Sequence, residues 1–526
     1  MIFRRLSLAA FASALCLGAA GAAVAEDLPL SPEVQILLQR LDAAERRIGE
    51  LEAEPRPKTS PKFEASGESE FPKARYRDVS SLAEGDDFKK QVDDIKGKVS
   101  KLEAKDKDID AALKKVTVPG SSGATMKVTG RIHLDYLAHL QSEGEGNGAA
   151  ATGINRYENG SDPEDRFLFR RIRLGVQGDI KDNMFYRIDL EFPNANNPEF
   201  RDVFFGFRDV PWFQTITIGN QKRLYSLDQW NSSHSNLFLE RPFIADDFNA
   251  DVRRLGITSF SVSDDESWTW SYGAFNAENI QNDGDYTGDT YQLELDARIT
   301  NTWWYDEASD GRGYGHFGLS NAYVDADEGG SASHASVARF RARPEARTQS
   351  SWLDTGVLND VDSYYLLGTE AVFNVGVLHL CAETTHVWTD RVAGDGNYFW
   401  GYYGQAGYFL TGEHVQWQRK VAMLGRVKPF ENFWLVNNCN GETERGWGAW
   451  QVAARFSYGD LTDESVFGGI GSAGTLGLNW WWNENSRLQM NYIHGSIKGR
   501  DRSGAAGIQL GNDSYDMIQT RFMVFF

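Results

Sequence analysis

The sequence predicts an all-β fold, a transmembrane antiparallel β-barrel with an N-terminal coiled-coil helical extension. Three observations support this prediction: an export signal, strands that alternate apolar and charged residues, and an amphipathic last strand that ends in Phe526. The composition agrees, because aromatic residues make up 13% of the chain and there are 52 Gly but only 14 Pro. After Ala25 no apolar run approaches the roughly 20 residues that a membrane-spanning helix needs.

Residues 1–25 have the pattern of a secretory signal peptide. Arg4 and Arg5 precede an apolar stretch at 6–19, and small residues at 23–25 mark a cleavage site before Glu26. The alternative is a membrane anchor, but the apolar stretch is too short for one. We therefore predict export.

The next hundred or so residues predict two helical segments joined by a linker. Residues 26–51 place apolar side chains at alternating steps of three and four, which predicts a short coiled coil. Residues 52–90 contain four prolines among Ser, Glu and Lys, which predicts a disordered linker. Residues 91–118 restore the heptad and predict a second coiled coil. A single amphipathic helix packed on the barrel is the alternative to self-association.

Residues 125–526 form the predicted barrel domain. In 127–136 and in 184–192 the even-numbered positions are mostly apolar, whereas most odd-numbered positions are polar or charged. A secreted β-sandwich would direct apolar residues into a closed core. Repeated Arg, Asp and Glu on the enclosed side, with apolar residues outside, is instead typical of an outer-membrane barrel.

The length of this domain predicts the number of strands. Dividing roughly 400 residues by about 22 to 25 residues per strand and its loops gives 16 to 18 strands. Barrels of that width have a water-filled lumen, so we predict transport across the outer membrane, with the membrane lipid as one partner. The net charge of −20 argues against a nucleic-acid partner.

Two patterns that could indicate other chemistry are weak. Ser233, His234 and Ser235 are adjacent in the chain and cannot form a catalytic triad by themselves. The acidic loop at 283–289 lacks the final Glu of a calcium-binding loop. We therefore predict no enzyme activity, no metal site and no cofactor.

A run of arginines at 338–347 predicts a basic surface. In an extended chain alternate residues share a face at steps of about 6 to 7 Å, which a hydrated anion could follow. Arginine suits this role because its planar donors match oxyanions. The residues concerned are Arg339, Arg341, Arg343 and Arg347. Glu345 has the same parity, so we expect it to offset one of these charges, and a solvated charged loop remains the alternative.

Several blocks of the sequence resemble the phosphate-selective porin O/P family. GRIHLDY at 130–136 resembles its first strand, and FRRIRLG at 169–175 resembles its double-arginine second strand. The segment 216–257 is similar to the family's inward-folding constriction segment, and the resemblance continues to Phe526. It implies a 16-stranded homotrimer in which an arginine ladder leads to the constriction.

The resemblance also implies which basic residues line the constriction. Besides the ladder, these are Arg131, Arg170, Arg171, Arg173, Lys222 and Arg223. Strand parity predicts Arg171 and Arg173 inside but Arg170 outside, unless a bulge or the strand end intervenes. Alternatively, some of these arginines pair with Asp135, Asp179, Asp189 or Glu191 and stiffen the wall.

The chain departs from the family at two positions. Phosphate-selective members carry lysines where this chain has Gln229 and His234, so we expect a weaker local field. We predict a passive diffusion channel for small anions such as phosphate. The alternatives are a general porin or one for another solute, and a structural tether whose coiled coil reaches the cell wall or another periplasmic partner.

Overall fold

We analysed a computed structural model of the chain, which divides into two compact units, Met1–Thr117 and Val118–Phe526. The described residues all belong to the second unit: 123–142, 157–158, 163–192, 198–248, 252–280, 291–326, 338–358, 360–392, 394–437, 443–464, 466–500 and 512–526. The predicted signal peptide, both predicted coiled coils and the linker lie outside these residues.

Sixteen antiparallel strands close into one barrel, which confirms the predicted all-β class and the lower of the two predicted strand counts. In barrel order they are β1 (Lys127–Ser142), β2 (Arg166–Ile180), β3 (Met184–Glu191), β4 (Glu199–Val210), β5 (Gln214–Lys222), β6 (Arg253–Val262), β7 (Trp268–Asn276), β8 (Leu293–Tyr305), β9 (Gly313–Asp325), β12 (Val361–Val375), β13 (Leu378–Arg391), β14 (Tyr398–Phe409), β19 (Ala449–Asp463), β20 (Val466–Asn483), β21 (Ser486–Lys498) and β22 (Asn512–Phe525).

The remaining elements lie in the connections between barrel strands. Two short helices, α1 (Leu227–Trp230) and α2 (Phe243–Asp247), follow β5. Three small hairpins pair β10 (Arg341–Ala342) with β11 (Leu353–Asp354), β15 (Trp417–Gln418) with β16 (Met423–Leu424), and β17 (Trp434–Asn437) with β18 (Thr443–Gly446). In the described part of the chain, no helix is long and apolar enough to cross a membrane.

The barrel closes where its first strand pairs with its last. The backbone of Phe526 exchanges two hydrogen bonds with Gly130, at 3.0 and 3.1 Å. Its ring covers the place where a Cβ atom on Gly130 would lie, since such an atom would come within 2.2 Å of Phe526 Cζ. The aromatic C-terminus is therefore part of the closing seam.

Apolar and polar side chains alternate across the wall as predicted. On β1, Ile132 is exposed on the outer surface, while His133 and Asp135 are buried inside. On β22, Phe522 and Val524 are likewise exposed on the outside. The outer surface thus presents apolar groups to lipid and the inner surface presents charged ones to the lumen.

The two ends of the barrel differ. Short turns at 181–183, 211–213 and 484–485 lie at the end where β1 begins and β22 finishes, which we call the turn end. Connections such as 223–252 and 326–360 leave the opposite end, which we call the loop end. In bacterial outer-membrane barrels short turns face the periplasm and long loops face the outside.

Candidate functional site

The connection between β5 and β6 crosses the lumen to the far wall. Its backbone carbonyl at Leu237 accepts hydrogen bonds from Asn479 of β20 and Gln489 of β21, at 2.9 and 3.1 Å. The carbonyls of Leu239 and Glu240 accept from arginines of β22 and β19. Because the connection leaves from β5 and returns to β6, these contacts place it across the barrel, in the inward position that the resemblance implied.

Glycines on the far wall make room for this connection. A Cβ atom on Gly401 of β14 would lie 2.4 Å from Ile244 Cγ2, and one on Gly459 of β19 would lie 2.6 Å from Asp247 Oδ2. Helix α2 is therefore pressed against β14 and β19. This contact fixes one border of the opening that the connection leaves in the lumen.

Lys222 and Arg223 use their charges to hold this connection in place. Lys222 Nζ donates to the carbonyl oxygens at 229, 230 and 231, at 2.8, 2.7 and 2.9 Å, and so caps the C-terminal end of α1. Arg223 Nη1 lies 3.4 Å from Glu294 Oε1, with both side chains almost fully buried. The charge of Arg223 is thus paired, and the donors of Lys222 are engaged by the backbone.

The two positions that depart from the family differ in their surroundings. Gln229 is buried and donates from Nε2 to the carbonyl of Ala245 at 2.8 Å, which ties α1 to α2. The ring of His234 stacks on Phe525 with centroids 4.4 Å apart. Burial, together with the charge of Arg131, holds the pKa of His234 well below its usual range. His234 is therefore neutral at pH 7 and adds no positive charge.

Arg131 meets the tip of the same connection. It donates from Nη1 to Ser233 Oγ at 2.6 Å and from Nη2 to Ser232 Oγ at 2.9 Å. Its Nη2 atom also lies 3.1 Å from His234 Nδ1, which accepts a hydrogen bond in the tautomer that carries its proton on Nε2. Arg131 is thus oriented by neutral groups and keeps its net charge.

The wall of β2 to β6 carries alternating charges. Arg173 lies 2.8 Å from Glu191, which also contacts Arg201. Arg187 pairs with Asp189 and Arg253 pairs with Asp202, at 2.6 and 2.8 Å. The alternative that arginines stiffen the wall thus applies to Arg173.

Arg171 belongs to the same wall but has no such partner. It is 7% exposed and makes no salt bridge or hydrogen bond with any residue that the structure describes. Its Nε atom is completely covered and unpaired in that set. Arg171 and Arg173 therefore both face inward from β2, but only Arg173 has a carboxylate partner among the described residues.

Arg170 lies inside the barrel, because a bulge interrupts the parity that would place it outside. The register of β1 with β2 pairs His133 with Arg171 and Leu134 with Phe169, so Arg170 is an extra residue in a β-bulge. It donates to both oxygens of Glu240 in the inward connection, at 2.7 and 2.9 Å. Arg170 is therefore paired with a carboxylate.

The predicted arginine run folds into the lumen beside this pair. Phe340 and Ala342 are buried, and the Phe340 ring packs on Tyr364 and Phe399 of the inner wall. The arginines point the other way. Arg339 pairs with Asp354 at 2.8 Å, and Arg343 donates to the carbonyl of Thr348 at 3.0 Å.

Arg341 and Arg347 remain unpaired in the described part of the chain. The neighbouring charge of Arg170, together with burial, lowers the pKa of Arg347 to about 10. The C-terminal end of the arginine run, at Arg347, therefore lies near Arg170 in the bulge of β2.

Glu345 does not share the face of the arginines, in contrast to the sequence expectation. Its φ of +55° turns the chain, and its buried carboxylate accepts hydrogen bonds from Arg455, Ser457 and Thr475 of the wall. The parity rule fails here because it assumes an uninterrupted extended backbone. The arginine face thus keeps the charge that Glu345 was expected to offset.

A second connection enters the lumen from the turn end and supplies arginines that the sequence interpretation missed. Residues 410–448 join β14 to β19, and Leu424 donates from its backbone to Asn231 of the inward connection at 2.9 Å. Arg426 places its guanidinium 4.9 Å from the centre of the Phe525 ring. No regular pattern surrounds Arg426 in the sequence, so periodicity could not have identified it.

Arg487 of β21 faces the lumen nearby. It is fully buried, and its three guanidinium nitrogens have no hydrogen-bond partner among the described residues. Its guanidinium lies 5.0 Å from the centre of the Trp481 ring. Strand parity could have found it, because Arg487, Gln489 and Asn491 form the polar face of β21.

Comparison with known proteins adds independent information. The family described as phosphate-selective porin O and P matches residues 141–526. An uncharacterised protein of Caulobacter vibrioides is 29% identical over 357 residues, which cover 66% of this chain but only 65% of that protein. The anion-selective porin of Comamonas acidovorans is 13% identical, covers 77% of this chain and 100% of its own, and has a TM-score of 0.44. The outer-membrane channel DcaP of Acinetobacter baumannii is 11% identical, with coverages of 78% and 100% and a TM-score of 0.43.

Proposed function

We propose that this chain, which belongs to the phosphate-selective porin O and P family of outer-membrane porins, forms a passive diffusion channel for small anions. The family and the barrel favour a channel over an enzyme. The solute enters at the loop end, passes the arginine run and the inward connection, and leaves past Arg131.

One observation carries the proposal: a set of inward guanidinium groups without a carboxylate partner in the described residues. Each can donate hydrogen bonds to an oxyanion without first breaking a salt bridge, which replaces part of the hydration that the anion loses. They are Arg131, Arg171, Arg341, Arg347 and Arg426. Binding at each one must stay weak enough for the anion to leave.

The same geometry favours a general preference for anions over strict phosphate specificity. Lys222, Arg223 and Arg170 contact carbonyls or carboxylates, and His234 is neutral. Four of the groups at the positions where the family resemblance implied a basic constriction are thus engaged or uncharged, which leaves fewer donors for a phosphate-specific site. Phosphate is therefore proposed as one permeant among several small anions.

A planar-bilayer measurement tests this proposal. Under a KCl gradient the reversal potential should show chloride to be more permeant than potassium, and added phosphate should reduce the chloride current. Arg171→Gln should weaken the phosphate block more than Arg173→Gln, because the guanidinium of Arg173 is held by Glu191. Cation selectivity of the unmodified channel would overturn the proposal, since the net charge of −20 would then dominate.

We also propose that the channel is a homotrimer whose N-terminal segment reaches toward the cell wall. Support comes from the heptad pattern at 26–51 and 91–118 together with the family resemblance. Removing residues 26–124 should leave conductance intact. If the full-length chain is closed and conducts only after this truncation, the result favours the alternative, a structural tether whose lumen is plugged.

A further inference from the structure

The connection 410–448 passes from the inside of the barrel to its outer surface. Its first half lies in the lumen, where Trp417 donates to Thr302 Oγ1 at 3.0 Å. Its second half lies outside, where the backbone of Phe433 donates to the carbonyl of Trp482 at 2.6 Å. The Phe433 ring packs edge-on against the outward-facing Trp480, with centroids 4.5 Å apart. The connection thus contacts both the inner and the outer face of the barrel wall at the turn end.

The outer half leaves two large rings uncovered. Trp434 and Trp447 are 53% and 74% exposed. Trp447 is nevertheless held in position, because its carbonyl accepts hydrogen bonds from the indole nitrogens of Trp450 and Trp480, at 3.1 and 2.8 Å. Large aromatic rings that are exposed and held in position mark an interaction surface.

The surroundings identify lipid as the partner. Trp450 and Trp480 stack at 4.7 Å on the outer face of the barrel, and Trp482 packs against Phe522, so the exposed rings continue the lipid-facing aromatic surface. Tryptophan concentrates where hydrocarbon meets headgroups, because its ring is apolar and its N–H is polar. The guanidinium of Arg445 lies 5.0 Å from the centre of the Trp434 ring, which adds a cation suited to a lipid phosphate.

We propose that the β17–β18 hairpin, together with Trp447, is a lipid-binding arm that docks into the headgroup layer of the periplasmic leaflet. This arm is not part of the barrel wall. Because the same connection carries Arg426 into the lumen, the arm fastens a pore-lining segment to the membrane surface.

Tryptophan quenching tests the lipid-binding arm in the full-length protein. The chain is reconstituted in phosphatidylcholine vesicles with and without bromine on the upper acyl chain, and iodide serves as the aqueous quencher. The emission lost in the Trp434→Phe, Trp447→Phe double variant should be quenched by brominated lipid and shielded from iodide. Trp352→Phe is the matched control, because Trp352 is fully buried, and it should leave the lipid-quenched emission unchanged.

Two results would overturn the proposal. If iodide but not brominated lipid quenches the emission of these two residues, the arm faces periplasmic water. If neither quencher reaches it, another protein subunit covers the arm. Phenylalanine keeps an aromatic ring at both positions, and the heat-modifiable mobility of the barrel reports correct folding. Conductance is not the readout, so this result is independent of the proposed ion selectivity.

Discussion

Arg170 donates two hydrogen bonds to the carboxylate of Glu240, although simple strand alternation would direct this arginine to lipid. The bulge opposite His133 and Leu134 reverses its direction, so that Arg170 and Arg171 both enter the lumen. Glu240 also lies 2.6 Å from Arg521, which in turn pairs with Asp135. The first strands, the last strand and the inward connection are joined by this network, in which Glu240 reduces the positive charge presented by Arg170.

Replacing Glu240 by Gln should increase the preference for anions. The change leaves Arg170 with a neutral partner, and a unit charge acts on an ion 4 Å away with about 4 kcal/mol at an effective dielectric constant of about 20, before screening. Even a strongly screened remainder should shift the chloride to potassium permeability ratio several-fold, measured from the reversal potential. Glu294→Gln is the matched control, since Glu294 is fully buried beside Arg223. A ratio that falls in the Glu240 variant would contradict this interpretation.

Within the arginine run, unpaired residues should matter more than paired ones. Arg341→Gln and Arg347→Gln each remove a guanidinium without a carboxylate partner in the described residues, whereas Arg339→Gln removes one that is bound to Asp354. We expect the first two to raise the phosphate concentration that halves the chloride current, and the third to change it less. The difference should shrink at high salt. Equal effects of all three would mean that only total charge matters.

Contact between Gly130 and Phe526 should control barrel closure. Gly130→Val would place side-chain atoms where the Phe526 ring lies, so the ring must move and the seam between β1 and β22 should weaken. The amount of heat-modifiable barrel recovered from outer membranes should fall. Gly474→Val is the matched control, because a Cβ atom there lies 4.0 Å from its nearest neighbour. Equal recovery of the two variants would show that the ring can relocate without cost.

The sequence predicted the barrel more fully than the lumen. Alternation along β1, β3 and β22 follows from a wall that separates lipid from water, so a single strand reveals it. Glu345 was predicted on the wrong face because a left-handed residue interrupts that alternation, and Arg170 lies inside through the bulge that the parity prediction left open. Neither interruption has a distinct sequence signal.

Local sequence patterns could not predict the ion pairs that form across the barrel. Arg170 and Glu240 are separated by 70 positions in the chain, and Arg521 and Asp135 by 386. Whether an inward arginine is paired depends on such distant residues. Periodicity therefore identified inward arginines such as Arg171 and Arg173 alike, but it could not distinguish the unpaired one from the paired one.

Asp247 should make the docking of α2 dependent on pH. Its side chain is buried against Gly459, and both carboxyl oxygens lack a hydrogen-bond partner among the described residues. Burial, reinforced by Asp246, raises the pKa of Asp247 well above its usual range. The folded protein therefore keeps this proton at pH values where the unfolded chain, with a pKa of about 3.9, has lost it. The contribution of Asp247 to stability must then fall as pH rises above about 4, because at this group the unfolded state binds fewer protons than the folded state.

Asp247→Asn removes this dependence. Relative to the unmodified protein, the variant should gain thermal stability as pH is raised from about 4.5 to 8, since only the unmodified chain must protonate a carboxylate in order to fold. The temperature at which heat-modifiable mobility is lost measures the effect. Asp265→Asn is an informative control of opposite sign: hydrogen bonds from Ser263 and Ser267 lower the pKa of Asp265 to about 2, so its contribution is already complete at pH 4.5 and is lost only in stronger acid. If the Asp247 variant differs from the unmodified protein by the same amount at both ends of this range, Asp247 is ionised in the folded barrel and the prediction is wrong.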